Sequence, residues 1–276
     1  GQDRQKSAPP QPGASMLLFV SCPAAGAILV PPAPPRAAPP IALESTGGSE
    51  ATQLSESVAI RVAEASELAA ASSPLFEPLA ALLSVTMFEP ASEAARATLA
   101  RETEADLVRA FAGESRRAPS AVGRSALLLA EDGDRLVGVC GLQALSLTPD
   151  GRGERLLSSM RREERRSMAV RPLLSNLAVL PDFRRKRIGS RLVARAEALA
   201  AEWGFDELLL LVGEENRPAR ALYAELGYAA EGVCDGEECC ADPWWWPGRG
   251  VSWAPCRNVC MRRTGLADEQ YSIVTS

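Results

Sequence analysis

The chain has 276 residues, a length that suits one domain with extensions. Its formal net charge of −5 and sequence pI near 5.1 argue against a general nucleic-acid-binding protein, which would carry a basic surface. Histidine is absent, so any general base must be a carboxylate or a relayed water.

Residues 1–48 differ in composition from the rest, because proline and alanine dominate them. The segment 16–30 is uncharged and apolar, but it is shorter than the roughly 20 residues that span a bilayer, and Pro23 interrupts it. It has the composition of the hydrophobic core of a targeting leader, and a disordered tail is the alternative. Since the chain begins with Gly1 and not with methionine, Met16 is a candidate for the true start.

Strand and helix signals then alternate in a regular order. The pattern predicts a strand, two helices rich in alanine and leucine, and two further strands, at 57–62, 67–83, 91–112, 125–130 and 135–147. Asp132-Gly133 between the last two strands is typical of a β-hairpin turn.

An insertion is predicted at 148–171, between the hairpin and the next strand. Its run Arg-Arg-Glu-Glu-Arg-Arg at 161–166 favours a solvated helix or loop of mixed charge. The functional alternative is that this segment borders the substrate groove and selects acidic peptides.

A candidate anion-binding turn follows. A short apolar strand is predicted at 173–179, and an amphipathic helix begins at Ser190. The first N–H groups of a helix have no internal acceptor and lie at the positive end of its dipole, so they can bind a diphosphate. Gly189 lets the backbone approach such a ligand, and basic side chains add charge at Arg184, Arg185, Lys186 and Arg187.

A second strand and helix complete the pattern. The strand is predicted at 208–212, and the helix begins with Asn216 as N-cap and Pro218 in its first turn. Gly227 is predicted to end this helix.

Together these patterns resemble the GNAT superfamily of N-acetyltransferases. The family's diphosphate motif, Arg/Gln-x-x-Gly-x-Gly/Ala, aligns with 184–189, and Arg187 stands where the family usually has its first glycine. The later family pattern, Asn-x-x-Ala-x-x-Leu-Tyr-x-x-x-Gly-Tyr/Phe, matches in full at Asn216, Ala219, Leu222, Tyr223, Gly227 and Tyr228. The resemblance implies an α+β (α/β) fold over 57–265, with a mixed central sheet of about six to seven strands flanked by helices.

The resemblance also implies acetyl-CoA as cosubstrate and transfer of its acetyl group to a primary amine. A bulge in the strand 176–179 would hold the thioester carbonyl and the pantetheine arm through N–H groups near Leu177 and Val179, with Ala178 between them. The turn would hold the diphosphate through the N–H groups and side chains of Arg184, Arg185, Lys186, Arg187, Ile188, Gly189 and Ser190. Asn216 and Ala219 would complete the cosubstrate site, with Asn216 bonded to the pantetheine arm or to a nearby water.

Two residues are implied as catalytic. Tyr223 would be the general acid that protonates the departing thiolate, because a phenol stays protonated at neutral pH. Asn176, with Ser175, would order a water. The structural alternatives are a packed helix aromatic for Tyr223 and a strand-edge polar residue for Asn176. The base is left open, with Glu214 and Glu215 as carboxylates that follow the second strand.

The last part of the domain contains tryptophans and cysteines. Trp244, Trp245, Trp246 and Trp253 are predicted in a Pro- and Gly-rich loop within 239–256, before a final strand at 257–263. Such an aromatic cluster indicates contact with a protein partner or the substrate, or packing back on the sheet. The cysteine spacing matches no familiar zinc site, so no metal is expected. Residues 266–276 are expected to form a tail.

Two functions are compatible with this sequence. The first is acetyl transfer to a protein lysine or N-terminal amine, with a small amine as another possible acceptor. The residues around 173–228 look most like plant and algal plastid GNAT enzymes, which together with the leader favours the plastid over the cytoplasm. The second is a GNAT-like structural or regulatory subunit of a larger assembly with an impaired diphosphate turn. No nucleic acid and no spanning membrane segment in the mature domain are expected.

Overall fold

The computed structural model of the protein describes residues 57–87, 93–113, 123–153, 161–235, 241–246, 250–255 and 257–267. The predicted leader at 1–48 lies outside these residues, as does most of the predicted C-terminal tail. Within the described part of the chain, no helix is both long and apolar enough to cross a bilayer.

Nine strands and five α-helices make up the described part. The strands are β1 (Val58–Val62), β2 (Ser125–Asp132), β3 (Arg135–Leu147), β4 (Ala169–Val179), β5 (Glu207–Gly213), β6 (Ala229–Asp235), β7 (Ala241–Trp246), β8 (Gly250–Pro255) and β9 (Arg257–Thr264). The helices are α1 (Phe76–Met87), α2 (Glu93–Phe111), α3 (Arg162–Arg166), α4 (Ile188–Glu202) and α5 (Arg217–Glu225).

Seven strands form one mixed sheet in the order β1-β2-β3-β4-β5-β9-β6. All neighbours in it are antiparallel except β4 and β5, which are parallel. The connection from β4 to β5 is α4, as a parallel crossover requires. The predicted mixed sheet flanked by helices is therefore confirmed.

One face of the sheet, called here the α4 face, packs against α4 and the aromatic end of α5. Ile188, Leu192 and Val193 recur at helical spacing on α4 and are buried against the strands. The strands supply alternate residues to this core, as the two-residue period of a strand dictates: Cys140, Leu142, Leu174, Leu208, Leu210, Val212, Val259 and Met261.

The opposite face, called here the α2 face, carries α1 and α2 over β2, β3 and β4. Phe76, Leu79 and Phe111 of these helices pack on Leu127 and Val139 of the sheet. Further along the same face, a smaller apolar cluster covers β4, β5 and β9, and it consists of Leu147, Leu173, Leu209 and Cys260. The sheet is thus buried on both faces, which fits the near-continuous apolar run of β5.

Most predicted elements are confirmed, and two are wrong. The helix predicted at 67–83 begins only at Phe76, because Ser72-Ser73-Pro74 breaks the pattern and Ser73 caps the turn before it, its hydroxyl accepting from the Leu75 N–H. The tryptophan segment is not a loop: β7 and β8 form a separate two-stranded hairpin in which Trp244 lies opposite Ser252.

The predicted insertion is in part a short helix. Thr148 and 149–153 follow β3, and α3 occupies Arg162–Arg166 with exposed arginines. Because α3 precedes β4 at its amino end, it lies on the order of 20 Å along the strand from Asn176, at about 3.3 Å per residue. This position supports the solvated helix for 162–166. Gly151 of the same insertion lies against Leu211 and Cys260, and residues 154–160 lie outside the described residues, so a border with the substrate groove stays a prediction.

Candidate active site

A bulge in β4 brings the first predicted site residues together. On β3 only Cys140 lies between the pairs Val139↔Ala178 and Gly141↔Ser175, whereas β4 has two residues there, Asn176 and Leu177. Asn176 has a φ of 54°, a left-handed conformation that asparagine adopts more readily than most residues. The extra residue disrupts the ladder and re-aims the backbone groups of 176–179, so the predicted bulge is confirmed.

The bulge lies beside an opening between β4 and β5. The two strands pair only at Leu173↔Leu209 and Leu174↔Leu210. β4 then continues to Val179 and β5 to Gly213 without pairing to each other. We call the unpaired ends, residues 175–179 and 211–213, the β4–β5 opening. An extended ligand placed there finds backbone groups of β4 that have no neighbouring strand on that side.

The turn after β4 presents a row of backbone donors. The first internal bond of α4 runs from the Arg191 N–H to the Arg187 carbonyl oxygen. Within the described residues, no backbone acceptor is found for the N–H groups just before it, those of Arg185, Arg187, Ile188, Gly189 and Ser190. Since these groups lie at the start of a helix of 15 residues, they form a site for an anion.

The conformation of the turn explains the glycine that the family motif has at position 187. Arg187 is the N-cap of α4 and has a φ of 57°, and Arg185 has a φ of 64°. For non-glycine residues this left-handed conformation costs about 1–2 kcal/mol, whereas glycine adopts it without that cost. Both residues are exposed, so Arg187 adopts the glycine-like backbone at the surface of the turn.

Two of the predicted basic ligands are occupied elsewhere. Arg184 donates from Nε to the Val179 carbonyl oxygen at 3.2 Å and from a terminal nitrogen to the Thr86 carbonyl oxygen at 3.4 Å. It therefore ties the turn to the ends of β4 and α1. The Lys186 ammonium lies 4.9 Å from the centroid of the Phe183 ring, a cation–π contact.

The second half of the site is built by α5. The Asn216 side chain accepts from the Ala219 N–H at 3.2 Å, so the predicted N-cap is confirmed. A side-chain methyl added to Gly189 would meet Leu222 Cδ2 of α5 at 3.7 Å, an ordinary contact. The start of α4 and the middle of α5 therefore lie side by side.

Tyr223 of α5 is buried in the core of the α4 face. Its ring meets the Tyr228 ring edge-on, with centroids 5.8 Å apart. Burial raises the pKa of the Tyr223 hydroxyl above its ordinary value, and the nearby Cys140 thiol adds to the effect. The phenol is therefore held protonated at neutral and mildly alkaline pH, as a proton donor requires.

The neighbouring Tyr228 has a different environment. Its hydroxyl donates to Glu197 Oε1 at 2.9 Å, and the other oxygen of Glu197 accepts from Arg263 at 2.7 Å. Burial and the Glu197 carboxylate raise the pKa of Tyr228. This chain of bonds joins α4, β9 and the start of β6, so Tyr228 serves the packing of the core.

Polar atoms near the β4–β5 opening are left without partners. Ser175 Oγ and Asn176 Oδ1 are buried at the bulge with no hydrogen-bond partner, and so are both side-chain polar atoms of Asn258 on β9. Asn258 is only 1% exposed. Buried polar groups are nearly always bonded, so these atoms at the end of the sheet indicate a place for a ligand or for water.

The carboxylates predicted after β5 have structural contacts. Glu214 pairs with Arg257 at 2.9 Å, and its carbonyl oxygen accepts from Arg220. Glu215 is exposed. These contacts do not direct either carboxylate toward the bulge at Asn176.

The model of the acetyltransferase (GNAT) family matches residues 92–228, about half of the chain. The chain belongs to the GNAT acetyltransferase family. Two Arabidopsis thaliana proteins are similar over short segments: GCN5-related N-acetyltransferase 4, chloroplastic, is 40% identical over 63 residues, and GCN5-related N-acetyltransferase 7, chloroplastic, is 31% identical over 62 residues.

These matches are partial. They cover 23% and 22% of this GNAT chain, which in turn spans only 22% and 23% of the two relatives. Similar solved structures include a GNAT family acetyltransferase from Elizabethkingia anophelis with acetyl-CoA bound, at 13% identity and a TM-score of 0.45, covering 76% of this chain and 99% of the other. PaiA N-acetyltransferase from Thermoplasma acidophilum in complex with coenzyme A is 17% identical, with a TM-score of 0.45 and coverage of 75% and 98%.

The GNAT motif residues predicted from sequence thus come together at one end of the sheet. The bulge residues 176–179, the turn 184–190 and the helix start at Asn216 and Ala219 all lie around the β4–β5 opening and the adjoining helices. Asn258 was missed, because only strand pairing brings it to the carboxyl end of β5. A weak signal was present: a lone polar residue in the apolar stretch Asn-Val-Cys-Met of β9.

The cysteines of the GNAT domain are described in part. Cys140 and Cys260 are buried and free, and burial raises the pKa of Cys260 to about 12. Among the described residues, no three metal-ligating side chains cluster. Cys239, Cys240 and Cys256 lie outside the described residues, so the predicted absence of a metal stays a prediction.

Proposed function

We propose that this protein is an acetyl-CoA-dependent N-acetyltransferase that acetylates a protein lysine or N-terminal amine by direct attack. One observation carries the proposal: the row of N–H groups at the start of α4 stands next to the β4–β5 opening and the bulge. A ligand with a diphosphate at one end and an extended arm at the other fits that pair of features.

The chain offers a place for each part of such a cosubstrate. The N–H groups of Arg185 and of 187–190 are available to the diphosphate, and the exposed Arg185 and Arg187 side chains add positive charge. The unpaired edge of β4 at Leu177 and Val179 is available to the pantetheine arm and the thioester carbonyl, with Asn216 capping the helix opposite.

The chemistry needs little from the protein beyond position and one proton. The amine nitrogen attacks the thioester carbon, a C–N bond forms, the C–S bond breaks, and the amine proton passes to water. Tyr223 gives its proton to the departing sulfur, and its raised pKa keeps that proton in place until the thiolate forms. Asn176 Oδ1, buried and unpartnered, accepts from the incoming amine or from a water that receives its proton.

We place the protein in the plastid. The apolar leader and the printed names of both Arabidopsis thaliana relatives, which are chloroplastic, support this location over the cytoplasm.

A structural or regulatory subunit is the second candidate. The left-handed backbone at Arg187 favours it, because a residue with a long side chain has replaced the glycine at the diphosphate turn. The exposed position of Arg187 favours acetyl transfer over this second candidate.

The test is acetylation of lysine-containing and free N-terminal peptides by the wild-type protein, followed through release of the free thiol. We expect transfer by the wild type and a large loss for Tyr223→Phe. A wild type that binds acetyl-CoA but transfers to no amine would support the subunit.

A further inference from the structure

We propose that Asn258 positions the acceptor by bonding to a peptide group of it, so that the substrate is a peptide and not a small polyamine. This inference rests on the proposed acetyl transfer and names the acceptor that fits the site.

The direction of the Asn258 side chain follows from its strand. Val259 and Met261 of β9 pack in the core of the α4 face, whereas Cys260 lies in the cluster of the α2 face. Side chains alternate along a strand, so Asn258 points to the α2 face with Cys260. It therefore lies on the same face as Ser175, whose neighbour Leu173 belongs to that cluster.

The position of Asn258 along the sheet brings it to the β4–β5 opening. It pairs with Gly213, the last residue of β5, which has no side chain to bond the amide. On the other side it pairs with Cys234 of β6. The backbone of β8, which leads into β9 through Cys256, lies against α2. Asn258 therefore lies one strand away from β4, beside Gly213 of the β4–β5 opening.

The Asn258 amide differs from the charged groups on this face. Nearer the amino end of β4, charged side chains pair across four strands: Arg171 with Glu207, Glu207 with Arg262, and Arg262 with Glu231. Asn258 is 1% exposed, yet neither Nδ2 nor Oδ1 has a partner. A buried amide with both groups unbonded is costly, and it is retained where a ligand bonds it.

The chemistry of the amide selects the occupant. Asn258 offers one acceptor and one donor group side by side. The N–H and the carbonyl oxygen of one residue in an extended peptide point to the same side, and together they satisfy both groups of the amide. A protonated polyamine presents only donors, so it would leave Nδ2 without an acceptor. Because the Asn258 amide lies near the opening and needs both a donor and an acceptor, the site favours a peptide acceptor.

The experiment compares a short lysine-containing peptide with its backbone N-methylated form, using wild type and Asn258→Leu. We expect the wild type to prefer the unmethylated peptide by about tenfold in kcat/KM, the value of one or two hydrogen bonds. Asn258→Leu should lose that preference through a higher KM, with its acetyl-CoA binding and thermal midpoint preserved.

Gln143→Leu is the matched control. Gln143 is a buried amide on β3, and its Nε2 donates to the Ala110 carbonyl oxygen at 3.5 Å. This variant should keep the preference for the unmethylated peptide. Asn258→Asp, which loses the donor and keeps the shape, serves if the leucine variant does not fold.

The outcomes separate the two proposals. If the wild type transfers acetyl but Asn258→Leu keeps the full preference, or if both peptides lose rate equally, Asn258 has no role in reading the acceptor and the inference is wrong. If the wild type transfers to neither peptide, the proposed function itself fails. If Asn258 bonds a water molecule and not the acceptor, Asn258→Leu should keep the full preference for the unmethylated peptide.

Discussion

Buried polar groups near the β4–β5 opening differ in their bonding from those on the α4 face. On the α4 face, the hydroxyl of Tyr228 bonds to Glu197, which bonds to Arg263, and the chain of bonds locks α4 to β9. On the α2 face, Ser175 Oγ and the Asn258 amide near the β4–β5 opening are unpartnered. Polar groups that only hold the fold are paired, so the comparison indicates that the unpartnered atoms near the opening serve in binding.

Tyr223 combines features of both groups, because it is buried on the α4 face and is proposed as the general acid. Tyr223→Phe should lower kcat about 100- to 1000-fold, the usual value of a positioned acid, with acetyl-CoA affinity little changed. Because burial raises its pKa, the wild-type rate should not fall through Tyr223 ionisation until the pH exceeds about 10. Steady-state kinetics against pH measures both.

Tyr228→Phe is the control for that variant. It removes a hydroxyl of the same core whose bond to Glu197 is structural, so stability should fall while kcat stays near the wild-type value. An equal loss of kcat in both variants would mean that the rings act only through packing.

Glu197→Gln tests the bonded network directly. The change removes the charge that Arg263 and Tyr228 share in a site where Glu197 is 8% exposed. We expect the free energy of unfolding to fall by about 2 kcal/mol, the value of hydrogen bonds to a buried charge. Urea denaturation measures it. Asn258→Leu, on the other face, should cost no stability, and equal destabilisation by the two variants would remove the contrast between the faces.

Asn216→Ala weakens the site through α5 alone. Its side chain caps the helix by accepting from the Ala219 N–H, and loss of a cap costs about 1 kcal/mol. Thermal unfolding measures that cost. Asn216→Asp keeps the cap and should restore stability, so a cosubstrate affinity lowered in both variants would indicate a direct contact of the amide with the ligand.

Arg187→Gly should stabilise the turn slightly. The left-handed backbone at φ 57° suits glycine, so we expect a gain of up to about 1 kcal/mol in the free energy of unfolding, partly offset by the flexibility of glycine when unfolded. A loss of stability would mean that the guanidinium makes a contact that outweighs the backbone preference.

Much of the fold and half of the site could be predicted from local sequence. The hairpin at Asp132-Gly133, the strands around α4 and the cap at Asn216 depend on neighbours in the chain, and the structure has them as predicted. The β7–β8 hairpin was missed because its tryptophans and prolines hide the two-residue period. The first predicted helix was placed too early, across Pro74.

The rest depends on contacts between distant residues. Tyr228 and Glu197 are 31 positions apart, and Glu197 and Arg263 are 66 apart, so no periodicity reveals the network. Asn258 reaches the opening only through the order in which β9 lies beside β5. The left-handed backbone at Arg187 is not indicated by the arginine itself; the sign in the sequence is that the family motif has a glycine at this position.

Acetyl-CoA binding by calorimetry, on the wild type and on Arg187→Gly, tests the central claim most directly. If the N–H row at the start of α4 and the β4–β5 opening form a cosubstrate site, the wild type should bind with a Kd on the order of micromolar, and the variant should bind within a few-fold of it. No binding by the wild type, with binding restored in Arg187→Gly, would contradict the account and leave the structural or regulatory subunit as the function.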